Sequence, residues 1–299
     1  MNWKKVTTFL IICLLAVNIL LFFLLHFRTL KRNYIDGETQ KNAVDIFERR
    51  GLIIDREIFS GKNPTFEMFG GVYDADAQIK KIEKIFGTDD LQSYNIPSNG
   101  KANIINDSAV FSFYPDFVID YQTNDFAHKM PKDDAFFDNG FEEFEDKALQ
   151  KEVSKQLSKL LVGDGEGKLS YEFGKSYRSK DGIAYIEIFQ TANGDLIQNA
   201  KLTVCVENKT VKAFDGRWIW LDFTDSYKVN TLDRINILFY AQPNDKNIAK
   251  RELLAEKCTY CIVWDVSSNF YIKPCWQIEF SDGTSEIYDA ATGDRMGSV

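Results

Sequence analysis

The sequence predicts an α+β fold: one N-terminal transmembrane helix followed by two small subdomains, each an antiparallel sheet with a helix beside it. Three observations carry this expectation. The run Val6–Phe27 is apolar throughout and holds no Asp, Glu, Lys or Arg. Beyond it, short alternating runs separated by Gly, Asn and Asp turns read as strands that return on themselves. Single helical patterns interrupt those runs without alternating with each strand, which argues against parallel βαβ units.

The apolar run spans about 33 Å at ~1.5 Å per helical residue, close to the hydrocarbon core of a bilayer. Its C-terminal flank reads Arg28-Thr29-Leu30-Lys31-Arg32, without the small-residue site of a cleaved signal, so it predicts an uncleaved anchor. Lys4 and Lys5 precede the run and Arg28, Lys31, Arg32 and Lys41 follow it, so the charge flank leaves the orientation open.

Asp36–Arg50 reads as a helix with Ala43, Val44 and Phe47 on one side, and Leu52–Ile58 alternates as a strand. A second helix carries Ile79, Ile82, Ile85 and Phe86, and Ala109–Tyr114 and Phe117–Tyr121 read as strands. These elements form the first subsequence unit, 36–128. The acidic, aperiodic segment 129–139 reads as a linker, with a surface loop as its alternative. The region 140–299 then opens on a helix from Phe141 to Leu161, whose first turn holds the Glu142–Asp146 acids.

From Leu169 the pattern turns to β. Ile183–Phe189, Ala200–Val206 and Val211–Phe214 alternate around the turns Asn193-Gly194 and Asn208-Lys209. Helices are expected over Leu232–Ala241 and Ile248–Glu256. The chain closes with strands Cys258–Val266, Tyr271–Phe280 and Ser285–Tyr288, the last two turning at Asp282-Gly283.

The chain has 299 residues and a formal net charge of −8. All 44 acids lie beyond residue 28 whereas Lys4, Lys5 and Arg28 do not, so residues 29–299 carry −11. That charge speaks against a nucleic-acid partner, which needs a basic face. The 24 Phe and 13 Tyr supply a packed core and exclude a disordered stalk.

Chemistry is sparse. His26 and His128 are the two histidines, and no H-E-x-x-H, G-x-S-x-G, G-x-G-x-x-G or Walker pattern occurs. Cys258-Thr-Tyr-Cys261 has the spacing of a redox or zinc half-site. Its strand-like surroundings and the lone Cys205 and Cys275 read instead as buried thiols. No catalytic, cofactor or metal residue is therefore assigned, no cofactor is expected, and the chain reads as non-enzymatic. Asn18, midway through the apolar run, reads equally as a contact to another membrane helix and as a side chain bonded to its own helix.

Both ends carry a resemblance. Met1-Asn2-Trp3-Lys4-Lys5 running into an apolar span with Asn18 inside AVNILLFFLL resembles the start of YycI-type proteins. Pro274-Cys275-Trp276-Gln277-Ile278, Asp282-Gly283 and Tyr288-Asp289-Ala290-Ala291-Thr292-Gly293 resemble the closing hairpin of YycH, YycI and PepSY-like domains. The resemblance implies a bitopic, single-pass regulatory protein at the cell membrane of a Gram-positive bacterium. Residues 1–5 would be cytoplasmic and the region after residue 27 extracytoplasmic. It further implies a sensor histidine kinase of the WalK/YycG two-component system for cell-wall metabolism and a YycH-like protein as partners, beside the lipid bilayer. Trp3 and Asn18 are then the candidate partner-binding residues. The alternatives are an anchored envelope binding module, PepSY-like in ligand binding or protease inhibition, and, further off, an anchored carboxylate hydrolase.

Overall fold

The structure, a computed structural model, describes residues 14–15, 17–22, 35–59, 66–72, 93–95, 102–105, 108–114, 116–132, 134–138, 140–161, 169–219, 225–241, 251–264 and 269–298. It corrects the α+β expectation. Among the described residues the chain is mainly strand, sixteen of them in mixed β-sheet, and the helices are short. Among the described residues the expected transmembrane helix is not found either. Within the run 6–27 only residues 14–15 and 17–22 are described, as helix, and no helix among the described residues is long and apolar enough to cross a membrane. The rest of that run, Trp3 and the helix expected around Ile79–Phe86 lie outside the described residues.

Two compact units form. One comprises residues 1–65, 230–257 and 276–299, the other 66–229 and 258–275.

In the first unit, helix α1 (Gly37–Arg49) starts where the sequence predicts. The Asp36 carboxylate accepts from the backbone N–H groups of Glu38 and Thr39, satisfying two donors that the helix itself leaves open. Ala43 and Phe47 are its buried residues, and Gly51 follows at a φ of 88°. Strand β1 (Leu52–Ile53) pairs in parallel with the first half of β13 (Arg251–Trp264), Leu52 opposite Arg251. The helix expected over 248–256 is thus strand from Arg251 onward. Leu253 is buried while Glu252 and Leu254 are exposed, a period of two. A short helix at Arg234–Tyr240 and the hairpin of β15 (Ser285–Asp289) with β16 (Arg295–Ser298) complete the unit.

The second unit is built on nine antiparallel strands. Their spatial order is β7 (Phe141–Glu143), β8 (Leu169–Ser179), β9 (Ala184–Ala192), β10 (Asp195–Glu207), β11 (Thr210–Arg217), β6 (Val118–Thr123), β5 (Ala109–Phe113), β4 (Ala102–Ile105) and β3 (Ser93–Asn95). The β9–β10 and β10–β11 hairpins turn at the two predicted dipeptides. Asn193 and Gly194 have φ of 52° and 91°, and Asn208 and Lys209 have 50° and 64°. Two consecutive positive φ values match the turn that fits the twist of paired strands. A second strand group, β12 (Asp225–Val229), β2 (Phe66–Val72) and β14 (Asn269–Phe280) with the second half of β13, joins β10 through a parallel step at Ile197 and Tyr260.

The predicted helix from Phe141 begins later. Phe141–Glu143 is strand β7, paired with β8, and helix α2 runs Lys147–Gln156 with Asp146 accepting from Leu149 N–H at its start. Glu142 and Glu143 therefore lie on a strand and not in a first turn. Val153, Leu157, Leu160 and Leu161 from this helical segment cover one face of the nine-stranded sheet. They pack on Phe111, Phe113, Ile119, Ile186, Ile188, Leu202, Val204 and Phe214. Gln156 clips the helix to the β10–β11 turn, donating to Lys209 O at 2.7 Å and accepting from Val211 N–H.

Candidate functional site

Side chains alternate across a strand, so the residues between those core positions face the other way. On that opposite face Ala213, Cys205 and Tyr185 lie in one cross-strand row, with Ala213 opposite Gln122 on β6. The segment after β6 covers this row with aromatic rings. Phe126, Phe137 and Ile183 are buried with it, and Met130, Phe136, Phe141 and Tyr177 pack alongside. Phe137 stacks on Tyr177 with centroids 4.0 Å apart. Tyr185 Oη donates to Lys129 O at 3.1 Å, fixing the start of the cover by its backbone. Burial pushes the Cys205 thiol up to about 12, so it is a packed thiol and not a nucleophile.

One step along the strands the row turns polar. Asp120 on β6 stands directly opposite Asp215 on β11, and Thr203 and then Glu187 continue the row across β10 and β9. Glu187 is buried and ion-paired to Lys201 at 2.7 Å. The Asp215 carboxyl lies above the usual carboxylate range, first because it is half-buried and then because Asp120 faces it. Where the aromatic cover meets these acids, a cleft of about 750 Å³ opens. Asp120, Gln122 and Asp215 line it from the strands, and Phe126, His128, Lys129, Met130, Lys132, Ala135 and Phe136 line it from the cover.

The two acids stand side by side on one wall. Together they present paired carboxylates to the opening. Among the described residues no group of three or more His, Cys, Asp and Glu could hold a metal ion. Cys258 and Cys261 lie within strand β13, without the helix N-terminus that lowers a CxxC thiol. Asn18 is helical with an exposed side chain.

The first unit holds a buried acid–base pair. Glu256 on β13 has a 2% exposed side chain, and Arg234 Nε is 3.2 Å from its Oε1. Among the described residues neither Glu256 oxygen accepts an aligned hydrogen bond. Burial, opposed by Arg234 and reinforced by Asp233, pushes its carboxyl up to about 7. Arg234 also donates to Ile58 O at 2.8 Å, which ties the 230–257 segment of this unit to its 1–65 segment.

The cleft residues went unassigned in the sequence. A trace of them exists: Val118-Ile119-Asp120-Tyr121 and Ala213-Phe214-Asp215 each place an acid inside an apolar strand.

No family model matches this chain, and no curated protein matches it. No family finding therefore supports the expected assignment to two-component regulation. Among solved structures, a similar one is an uncharacterized protein from Eubacterium rectale, 12% identical, covering 83% of this chain and 91% of that chain at a TM-score of 0.46.

Proposed function

We propose that this chain is a non-enzymatic binding protein of the cell envelope that regulates a protein partner. The observation that carries the reading is the cleft on the nine-stranded sheet, whose walls offer charge and aromatic surface. The uncharged run of residues 6–27 supports a tether at the membrane. The resemblance of both chain ends to YycI and YycH supports a sensor histidine kinase as the partner, with a YycH-like protein beside it. Regulation follows from differential affinity: contacts that are better in one kinase state than in the other shift the balance between them.

Deleting the gene and reading kinase-dependent transcription tests this. A changed output is expected, and an unchanged output overturns the proposal. Replacing residues 6–27 by an unrelated anchor separates two modes. Retained regulation places the working contacts in the β-rich region, and lost regulation places them in the exchanged run.

A further inference from the structure

We infer that Glu256 and Arg234 form a proton-controlled latch on the short helix Arg234–Tyr240, which is held while the carboxyl is neutral and loosened once it ionises. The latch lies within the first unit and is independent of the binding reading given above.

Arg234 opens the helix and reaches in two directions. Its Nη1 donates to Ile58 O at 2.8 Å, and its Nε lies 3.2 Å from Glu256 Oε1 on β13. The second contact is close but poorly aligned: neither that Nε nor either Glu256 oxygen has a hydrogen bond among the described residues. The Glu256 side chain is 2% exposed. An ionised carboxylate there has lost its water and faces one cation without aligned donors, an arrangement in which desolvation outweighs attraction. A neutral carboxyl carries no such penalty.

The neighbouring charges do not offset this. Asp233, which caps the same helix, acts on Glu256 against Arg234. Lys257, next along β13, is bonded to Glu279, and Arg251 is paired with Asp282 and Glu286. Arg56, near Ile58, is bonded to Gln40 and to the Gly37 carbonyl. Burial, with Asp233 adding to it, therefore brings the Glu256 carboxyl up to about 7 in spite of Arg234.

The helix is the element placed to respond. Its seven residues are too few to hold a helix by themselves. Ile237 and Leu238 are its buried side chains, whereas Phe239, though 4.8 Å from Phe47, and Tyr240 are exposed. The entry to the helix is fixed separately, by Leu232 N–H donating to Ala290 O at 2.7 Å and by Trp276 Nε1 donating to Leu232 O at 3.3 Å. Ionisation thus releases the helix while the strands of the unit stay paired. The sign follows from the carboxyl, at about 7 when held against 4.5 when hydrated: the held state is fully favoured below pH 4.5 and weakens as pH rises through about 7.

Hydrogen exchange of the full chain tests this, read at the amides of residues 235–240 at pH 6 and pH 8 and normalised to their intrinsic rates. Protection should fall about tenfold between the two, while the amides of β13 and β15 keep theirs. Glu256→Gln removes the charge at nearly the same size and should abolish the fall. Wild-type protein carrying 13C-labelled glutamate needs no variant, and its Glu256 carboxyl signal should titrate with a midpoint near 7. Equal protection at both pH values overturns the inference, as does a fall that persists in Glu256→Gln or a Glu256 midpoint near 4.5. An equal fall across β13 and β15 also overturns it, because the whole unit and not the helix would then be opening.

Discussion

The two faces of the nine-stranded sheet are covered by different means. One face meets α2 and the helical turn after it, where Val153, Leu157, Leu160 and Leu161 pack on aliphatic and aromatic strand residues. The other meets the chain between β6 and β7, largely irregular but for a 3-10 turn at Asp134–Phe137, held by rings, by Tyr185 donating to the Lys129 carbonyl and by the Lys212–Asp125 ion pair. The helix closes the middle of its face with repeating side chains, and a cleft of about 730 Å³ opens at its edge beside Leu149, Gln156, Ala184 and Val206. An irregular cover seals only where its rings land, and it leaves a cleft where they stop. The proposed recognition uses the face with the looser cover, and the helical face carries the larger packed core.

The largest expected effect tests the sealed face. Phe214 is fully buried there, stacked on Tyr121 at 4.9 Å, and Phe214→Ala should cost about 3–5 kcal/mol in denaturant unfolding. A loss under about 1 kcal/mol would break the contrast between the faces.

Gln190→Leu is next. The Gln190 amide donates to Ile219 O at 2.6 Å and accepts from Ile219 N–H at 3.0 Å. Leucine strands both groups inside the protein, at a cost of about 1–3 kcal/mol by the same measurement.

A third measurement sets a reference for buried charge. Glu256 titrates at about 7 in the folded unit against 4.5 in the open chain. Its contribution to stability is complete below pH 4.5 and is lost as pH rises through about 7. Glu256→Gln should therefore flatten the fall in stability across this window and leave the variant more stable than wild type at pH 8. Equal stability at pH 8 would contradict the burial argument.

The smallest effect belongs to the cleft. Asp215→Asn removes a like-charge contact and should stabilise by about 0.5 kcal/mol at pH 8. The raised Asp215 carboxyl gives the same sign: its contribution is present below pH 3.8 and lost as pH rises through its folded value. The gain of the variant should accordingly vanish at pH 3. A destabilised variant at pH 8 would show that Asp215 is held for the fold and not for a ligand.

Local signals were legible in the sequence. Asn193-Gly194, Asn208-Lys209 and Asp282-Gly283 mark real hairpins because their residues tolerate positive φ, except that Asp282 instead closes its turn through its side chain to Thr284 N–H. The capped start at Asp36 is equally local. Strand and helix were confused where one apolar pattern satisfies both periods. Phe141 and Phe144 fit a helix continuing to Leu161, but Asp146 caps it only from Lys147. The fold class failed for a further reason. Assembling sixteen strands depends on pairings such as Ile197 with Tyr260 and Leu52 with Arg251, which join distant segments without a local mark. The cleft shares that cause: Asp120 and Asp215 meet only through the register of β6 on β11.

The most direct test of the central claim, that the aromatic-covered face regulates a partner through its cleft, is kinase-dependent transcription in cells carrying the full chain with Asp120→Asn and Asp215→Asn. Purified variant protein must unfold at or above the wild-type midpoint, so that loss of folding plays no part. The account predicts an output matching that of the gene deletion. An output indistinguishable from wild type, with the cleft acids gone, would contradict it.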